Sequence, residues 1–169
     1  MIHEITDNVE KILTEAKFDL CAWGSSTSYN SALFKEGLLQ EGKLRALPED
    51  CLVIVAGNTL NIWDTVEKFK KESGSENPFE DYAIKVATQI QEQYQKQNIH
   101  MTPRYPTEHS PERLTSFTRL VSEVPFGEGA KCYFQNDVHM LFHEKYGNWH
   151  AWRFALVFEN IFLSPVPKD

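Results

Sequence analysis

The chain has 169 residues, enough for one domain that buries roughly 70% of its unfolded surface without a metal or disulfide. Apolar residues make up 41% and aromatics 12%, and 17 Lys and Arg against 24 Asp and Glu leave a net charge of −7. That balance argues against nucleic-acid or anionic-membrane partners, which need a basic face. Cys21, Cys51 and Cys132 are widely spaced and form no C-x-x-C pair. A zinc ribbon, an iron–sulfur cluster and a disulfide framework are therefore not expected. No apolar run approaches the ~18 residues of a membrane span, and Met1–Glu4 has no signal-peptide character. The expected setting is the reducing cytoplasm.

Ile5, Val9, Ile12, Leu13 and Ala16 recur at helical spacing and predict a first amphipathic helix. Phe18 to Trp23 alternates like a strand, and the small polar stretch Gly24 to Ser28 reads as a loop. Leu52 to Ala56 is a β-branched run suited to a strand buried on both faces. Asn58 and Asn61 offer caps for a helix striped by Ile62, Trp63, Val66 and Phe69. Asn77 at the N-cap, Pro78 at N1 and Glu80 at N3 open another helix, with Phe79, Ala83, Val86, Ile90 and Tyr94 on one stripe.

Ile99 to Tyr105 resembles a strand. Ser110-Pro111-Glu112 starts a helix striped by Leu114, Phe117, Leu120, Val121 and Val124. Lys131 to Gln135, Val138 to Phe142 and His150 to Phe158 then read as a meander, with a domain over 1–160 and an irregular tail over 161–169. The order of elements predicts an α+β fold in which an antiparallel-rich central sheet is flanked by helices.

In the last strand, His150, Trp152, Phe154, Leu156 and Phe158 alternate with Ala151, Arg153, Ala155 and Val157. One face packs a core. The other holds an arginine between two alanines, with room above it for something broad, or with Arg153 paired to a carboxylate in water. Phe126-Gly127-Glu128-Gly129 could let backbone approach a ligand, but it lacks the strand–loop–helix setting and third glycine of a dinucleotide fingerprint. His139 and His143 read as surface histidines rather than metal ligands, since no H-E-x-x-H or Cys/His spacing accompanies them. No G-x-S-x-G, P-loop or kinase signature is present.

His143-Glu144-Lys145-Tyr146-Gly147-Asn148-Trp149-His150-Ala151-Trp152-Arg153 resembles the H-P-x-[FY]-G-x-W-x-A-x-R segment of cobalamin-processing proteins of the cblC type. Tyr29-Asn30, the stretch Pro48 to Phe69, and Asn77-Pro78-Phe79-Glu80-Asp81 resemble further motifs of that family in the same order. The resemblance implies a nitroreductase-like sandwich that binds cobalamin base-off and removes its upper ligand. That removal is reductive decyanation with a flavin donor, or thiol-dependent dealkylation with glutathione. It places glutathione carboxylates on Arg153. It sets Tyr133, Phe134, Gln135, Tyr146, Gly147, Trp149, Trp152 and Gly129 around the corrin, with no metal held by the protein itself. A homodimer and a downstream cobalamin acceptor are compatible with it.

Strand alternation puts Trp152 and Arg153 on opposite faces, so both meet one ligand only at a strand end, a twist or a subunit boundary. Glu144 stands where the family has proline, and the family's proline-rich extension with additional arginines is not seen after Asp169. Two other readings remain. One is an FMN-dependent reductase of the same fold, its phosphate on Gly24-Ser25-Ser26 and Arg45; the other is a non-catalytic corrinoid carrier. The cobalamin-binding epoxyqueuosine reductases are set aside because their iron–sulfur cysteine runs are missing.

Overall fold

A computed structural model of the chain describes residues 1–35, 47–105, 130–135, 137–138 and 140–163. The expected helix from Ser110 and the loop Phe126 to Gly129 lie outside the described residues. Helix α1 (Ile2–Glu15) buries Ile5, Val9 and Leu13, three of the residues that predict it. Strand β1 (Leu20–Ser25) follows, and helix α2 (Ser26–Lys35) occupies the expected loop. The serines there start a helix. Ser25 Oγ accepts the Thr27 N–H, while Ser26 Oγ donates to Pro48 O and accepts the Cys51 N–H at 3.0 Å.

Strand β2 (Cys51–Asn58) is buried along its whole length, as its β-branched run predicts. A 3₁₀ turn (Leu60–Ile62) leads into α3 (Trp63–Ser73). Thr59, rather than Asn58 or Asn61, caps this segment by accepting the Asn61 N–H. Helix α4 (Pro78–Gln95) begins at Pro78 as expected, but the Asn77 side chain makes no capping bond. Ser75 instead bonds to Asp81 and accepts the Asn77 N–H, bracing the same turn from two residues earlier. Strands β3 (Met101–Arg104), β4 (Cys132–Gln135), β5 (Met140–His143) and β6 (Ala151–Phe162) complete the described elements.

The main sheet is antiparallel, in the order β1-β2-β6-β3. The expected meander is split, because among the described residues β4 and β5 pair with each other as a separate two-stranded ribbon. Ile161 and Phe162, expected in the irregular tail, continue β6, and Cys51 pairs with Phe162.

The two faces of the sheet differ in the size of their side chains. Leu52, Ile54, Phe154, Leu156 and Phe158 pack against α1, α3 and α4 with Val9, Leu13, Val66, Val86 and Ile90. Cys51, Val53, Val55, Ala22, Ala155 and Val157 form the other face, with Leu141 of β5 and Trp152 packed against it. Tyr94 OH accepts from Asn8 Nδ2 at 2.9 Å and Tyr82 OH donates to Ala16 O at 2.9 Å, tying α4 to α1 and to its C-terminal end.

Candidate functional site

The pairing of β6 with β2 contains an irregularity at the residue singled out by the sequence. Phe154 stands opposite Ala56 and Trp152 opposite Gly57, so Arg153 is the extra residue of a β-bulge. Alternation is broken there. Phe154 and Leu156 stay on the helix side, whereas Trp152 packs against the small-residue face with Ala155 and Val157. This corrects the expected grouping of Trp152 with Phe154. Gly57 makes the arrangement fit: a Cβ on it would stand 2.7 Å from Ala151 O and 3.0 Å from the Trp152 ring.

Arg153 turns towards the start of α4. Its Nε donates to Asn58 Oδ1 at 2.7 Å, and its guanidinium lies 4.7 Å from the centroid of the Phe79 ring. Asn58 is itself fixed, since its Nδ2 donates to Thr59 O at 3.1 Å. The Thr59 N–H and hydroxyl both donate to the Asp19 carboxylate, at 2.8 and 2.5 Å. Burial pulls the guanidinium below its ordinary pKa, and among the described residues no carboxylate pairs with it. The expected alternative, a salt-bridged arginine in water, is not what the described residues form. An arginine stays protonated in such a setting, so its charge is available to a ligand.

The guanidinium faces a cavity of about 230 Å³ lined by Asn58, Ile62, Trp63, Phe79, Trp149 and Ala151, among others. Trp63 and Trp149 stand at its rim, 59% and 70% exposed. Trp63, expected on the core stripe of its helix, is therefore a surface ring, tilted against Phe79 at 5.9 Å. Asn58, Trp63, Phe79 and His150 are among the residues that sequence reasoning did not assign to the site. The cavity is smaller than the ~300–1,000 Å³ typical of pockets for drug-sized ligands. It admits a small molecule or one arm of a larger one.

The remaining expected residues gather on the β4–β5 side. Tyr133 is stacked on Phe142 at 5.6 Å and remains 56% exposed. Gln135 is exposed beside it, Phe134 is described only by its backbone, and Gly129 lies outside the described residues. Tyr146 and Gly147 form the turn after β5, where Gly147 has φ of +59° and bridges His143. Trp149 leaves this turn with its N–H on Tyr146 O at 3.0 Å.

His143 is buried, not on the surface as expected, and its Nδ1 accepts the Lys145 and Tyr146 N–H groups at 3.0 and 3.4 Å. Burial lowers its pKa, with Lys131 and Lys145 acting in the same sense and Glu144 opposing. His139 lies outside the described residues.

His150 joins the two sides. It lines the Arg153 cavity, meets the Trp152 ring edge-on at 6.3 Å, and holds Nε2 3.8 Å from Cys132 Sγ. Burial pushes the Cys132 thiol up to about 11, so it is neutral near pH 7 and a poor nucleophile. No metal-ligating group of three or more side chains occurs among the described residues. The serine loop offered to an FMN phosphate does not fit that role at Ser26, because its hydroxyl is bonded on both sides within the chain. Arg45 lies outside the described residues.

These features define a mixed α/β protein with an antiparallel sheet flanked by helices. Trp152 and Arg153 are divided between its two faces at one strand end. No protein-family profile and no curated protein sequence matches the chain. Among solved structures, it is similar to a C. elegans B12-trafficking protein, CblC, described as a human MMACHC homologue. The TM-score is 0.62 at 14% identity, covering 99% of this chain and 74% of that one. It is also similar to an epoxyqueuosine reductase solved with a tRNA-Tyr epoxyqueuosine-modified stem loop. There the TM-score is 0.54 at 10% identity, covering all of this chain and 49% of that one. At such identities the likeness shows the fold. No described helix is long and apolar enough to cross a membrane.

Proposed function

We propose that this chain binds a corrinoid and removes its upper axial ligand, by reductive decyanation and, with a thiol, by dealkylation. The observation that carries the reading is the bulge at Arg153. It sets a broad indole, Trp152, towards the β4–β5 ribbon and, into the neighbouring cavity, a guanidinium that no described carboxylate pairs, with His150 between them. The fold shared with the B12-trafficking protein supports it. The 230 Å³ cavity is too small for a macrocycle, so the corrin would lie on the ribbon side. Trp152, Tyr133, Phe134 and Gln135 would hold it there, with Tyr146, Gly147, Trp149 and Gly129 at the turns. Arg153 would take the carboxylate of a thiol such as glutathione, a geometry that a guanidinium suits.

The cobalt of the bound substrate supplies the redox chemistry, and the protein supplies binding and exclusion of water. Keeping cobalt five-coordinate eases its reduction, and an apolar surround disfavours water as the sixth ligand. No protein nucleophile is required, which agrees with a Cys132 thiol raised to about 11. Cytoplasmic location, a homodimer and delivery to an acceptor protein belong to the same proposal.

One spectrum tests it. Cyanocobalamin mixed with the protein should shift to the base-off form, and reduced flavin should then carry it to cob(II)alamin. Binding without the second change would make the chain a carrier. A vitamin spectrum unaltered by the protein would refute the reading, and a yellow protein indifferent to cobalamin would favour an FMN-dependent reductase.

A further inference from the structure

We infer that the cavity beside Arg153 is a binding site for an amphiphilic monoanion, a flat apolar ring carrying one negative charge at its edge. Among the described residues that line it, Arg153 is the only lysine or arginine and none is a carboxylate. The anchor of that arginine is the neutral amide of Asn58, held by Thr59, which Asp19 holds in turn. A carboxylate in place of the amide would satisfy the guanidinium internally; an amide orients it and leaves its charge free. Phe79 already covers one part of the guanidinium. The walls beside that charge are rings: Trp63 at 59% exposure and Trp149 at 70%, with Leu60 at 67%. Large apolar groups left this open around one half-buried cation match a ligand with a planar body.

Two sources share this chemistry. One is a free aromatic carboxylate. The other is the nucleotide arm of the corrinoid, whose flat base adjoins a phosphodiester of single charge. The inference rests on corrinoid binding only in the second case, where the nucleotide arm would hold Arg153 in place of the thiol carboxylate, and it fails separately from it.

The test uses the full chain and calorimetry with naphthoate, the neutral naphthylmethanol and acetate. Naphthoate should bind about tenfold or more tighter than either of the others. Asn58→Asp, which gives Arg153 an internal carboxylate, should erase that advantage and leave naphthylmethanol binding as it was. Trp149→Ala, at an exposed position, should weaken both ring compounds. Equal affinity for naphthoate and naphthylmethanol, or naphthoate binding unchanged by Asn58→Asp, would overturn the inference.

Competition separates the sources. Cobalamin displacing naphthoate while cobinamide, which lacks the nucleotide, does not would assign the nucleotide arm; displacement by neither would assign a free anion. Displacement by both would put the corrin itself in the cavity and overturn the inference. Naphthoate binding alongside an unaltered cobalamin spectrum would sink the corrinoid function and leave this site standing.

Discussion

The indole of Trp152 lies directly over Gly57, 3.0 Å from the point where a β-carbon would stand. The contact crosses from β6 to β2 beside the bulge, and the same missing methyl lets Ala151 O approach. Gly57→Ala forces backbone as well as ring to move. It should cost about 1–3 kcal/mol and lower the melting temperature by several degrees. A variant that melts with the wild type would show that the bulge is not held by this contact.

Arg153→Ala removes the guanidinium from the cavity. Charge-assisted bonds of this kind contribute about 1.5–3 kcal/mol. Thiol-dependent turnover should therefore fall by about tenfold to a hundredfold, while the spectral titration with cobinamide, which carries no nucleotide, shifts much less. Equal losses in both would contradict the separation of the two sides.

Acid should loosen the turn that carries Trp149. Burial holds both His143 and His150 below the ordinary 6.5, so the unfolded chain binds protons that the folded one does not. Their stabilising contribution is full above 6.5 and is lost as pH falls from there towards the folded values. The slope is at most about 1.4 kcal/mol per pH unit for each group. Denaturation at several pH values should show stability falling between about pH 7 and pH 5, and His143→Gln should flatten that slope. A slope unchanged by the substitution would place the titration elsewhere.

Asn30, half of a pair that resembles a cobalamin-family motif, has a structural task here. Its Oδ1 accepts the Leu47 N–H and its Nδ2 donates to Leu47 O, both at 2.8 Å and buried. Asn30→Ala orphans both backbone groups and should cost about 2–4 kcal/mol in urea unfolding. A change under about 1 kcal/mol would mean that water replaces the amide.

Cys132 should resist alkylation. With its thiol at about 11, the rate with iodoacetamide should keep rising about tenfold per pH unit through pH 9. A plateau near neutral pH would reveal a thiolate stabilised by His150.

Period and capping residues made much of this fold readable from the chain. The stripe of α1, the buried run of β2 and the Pro78 start of α4 all follow from local rules that tertiary contacts reinforce. The errors have local causes too. Ser26 reads as loop in the sequence because serines serve both loops and helix starts, and its partners Pro48 and Cys51 are more than twenty residues away. The alternation of β6 is sound from Phe154 to Phe158 and fails at Arg153, because a bulge is a property of the pairing with β2. For that reason Arg153 could be picked out by type, whereas Asn58, Phe79 and Trp63 become its neighbours only through the fold.

Among the described residues, β3 closes one side of the main sheet, and Pro103 sits within it opposite Leu156. A proline has no amide hydrogen to offer, so that border presents an interrupted row of donors to any passing strand. The interruption guards against edge-to-edge aggregation, at a spot where a continuous ladder would invite another chain to add itself.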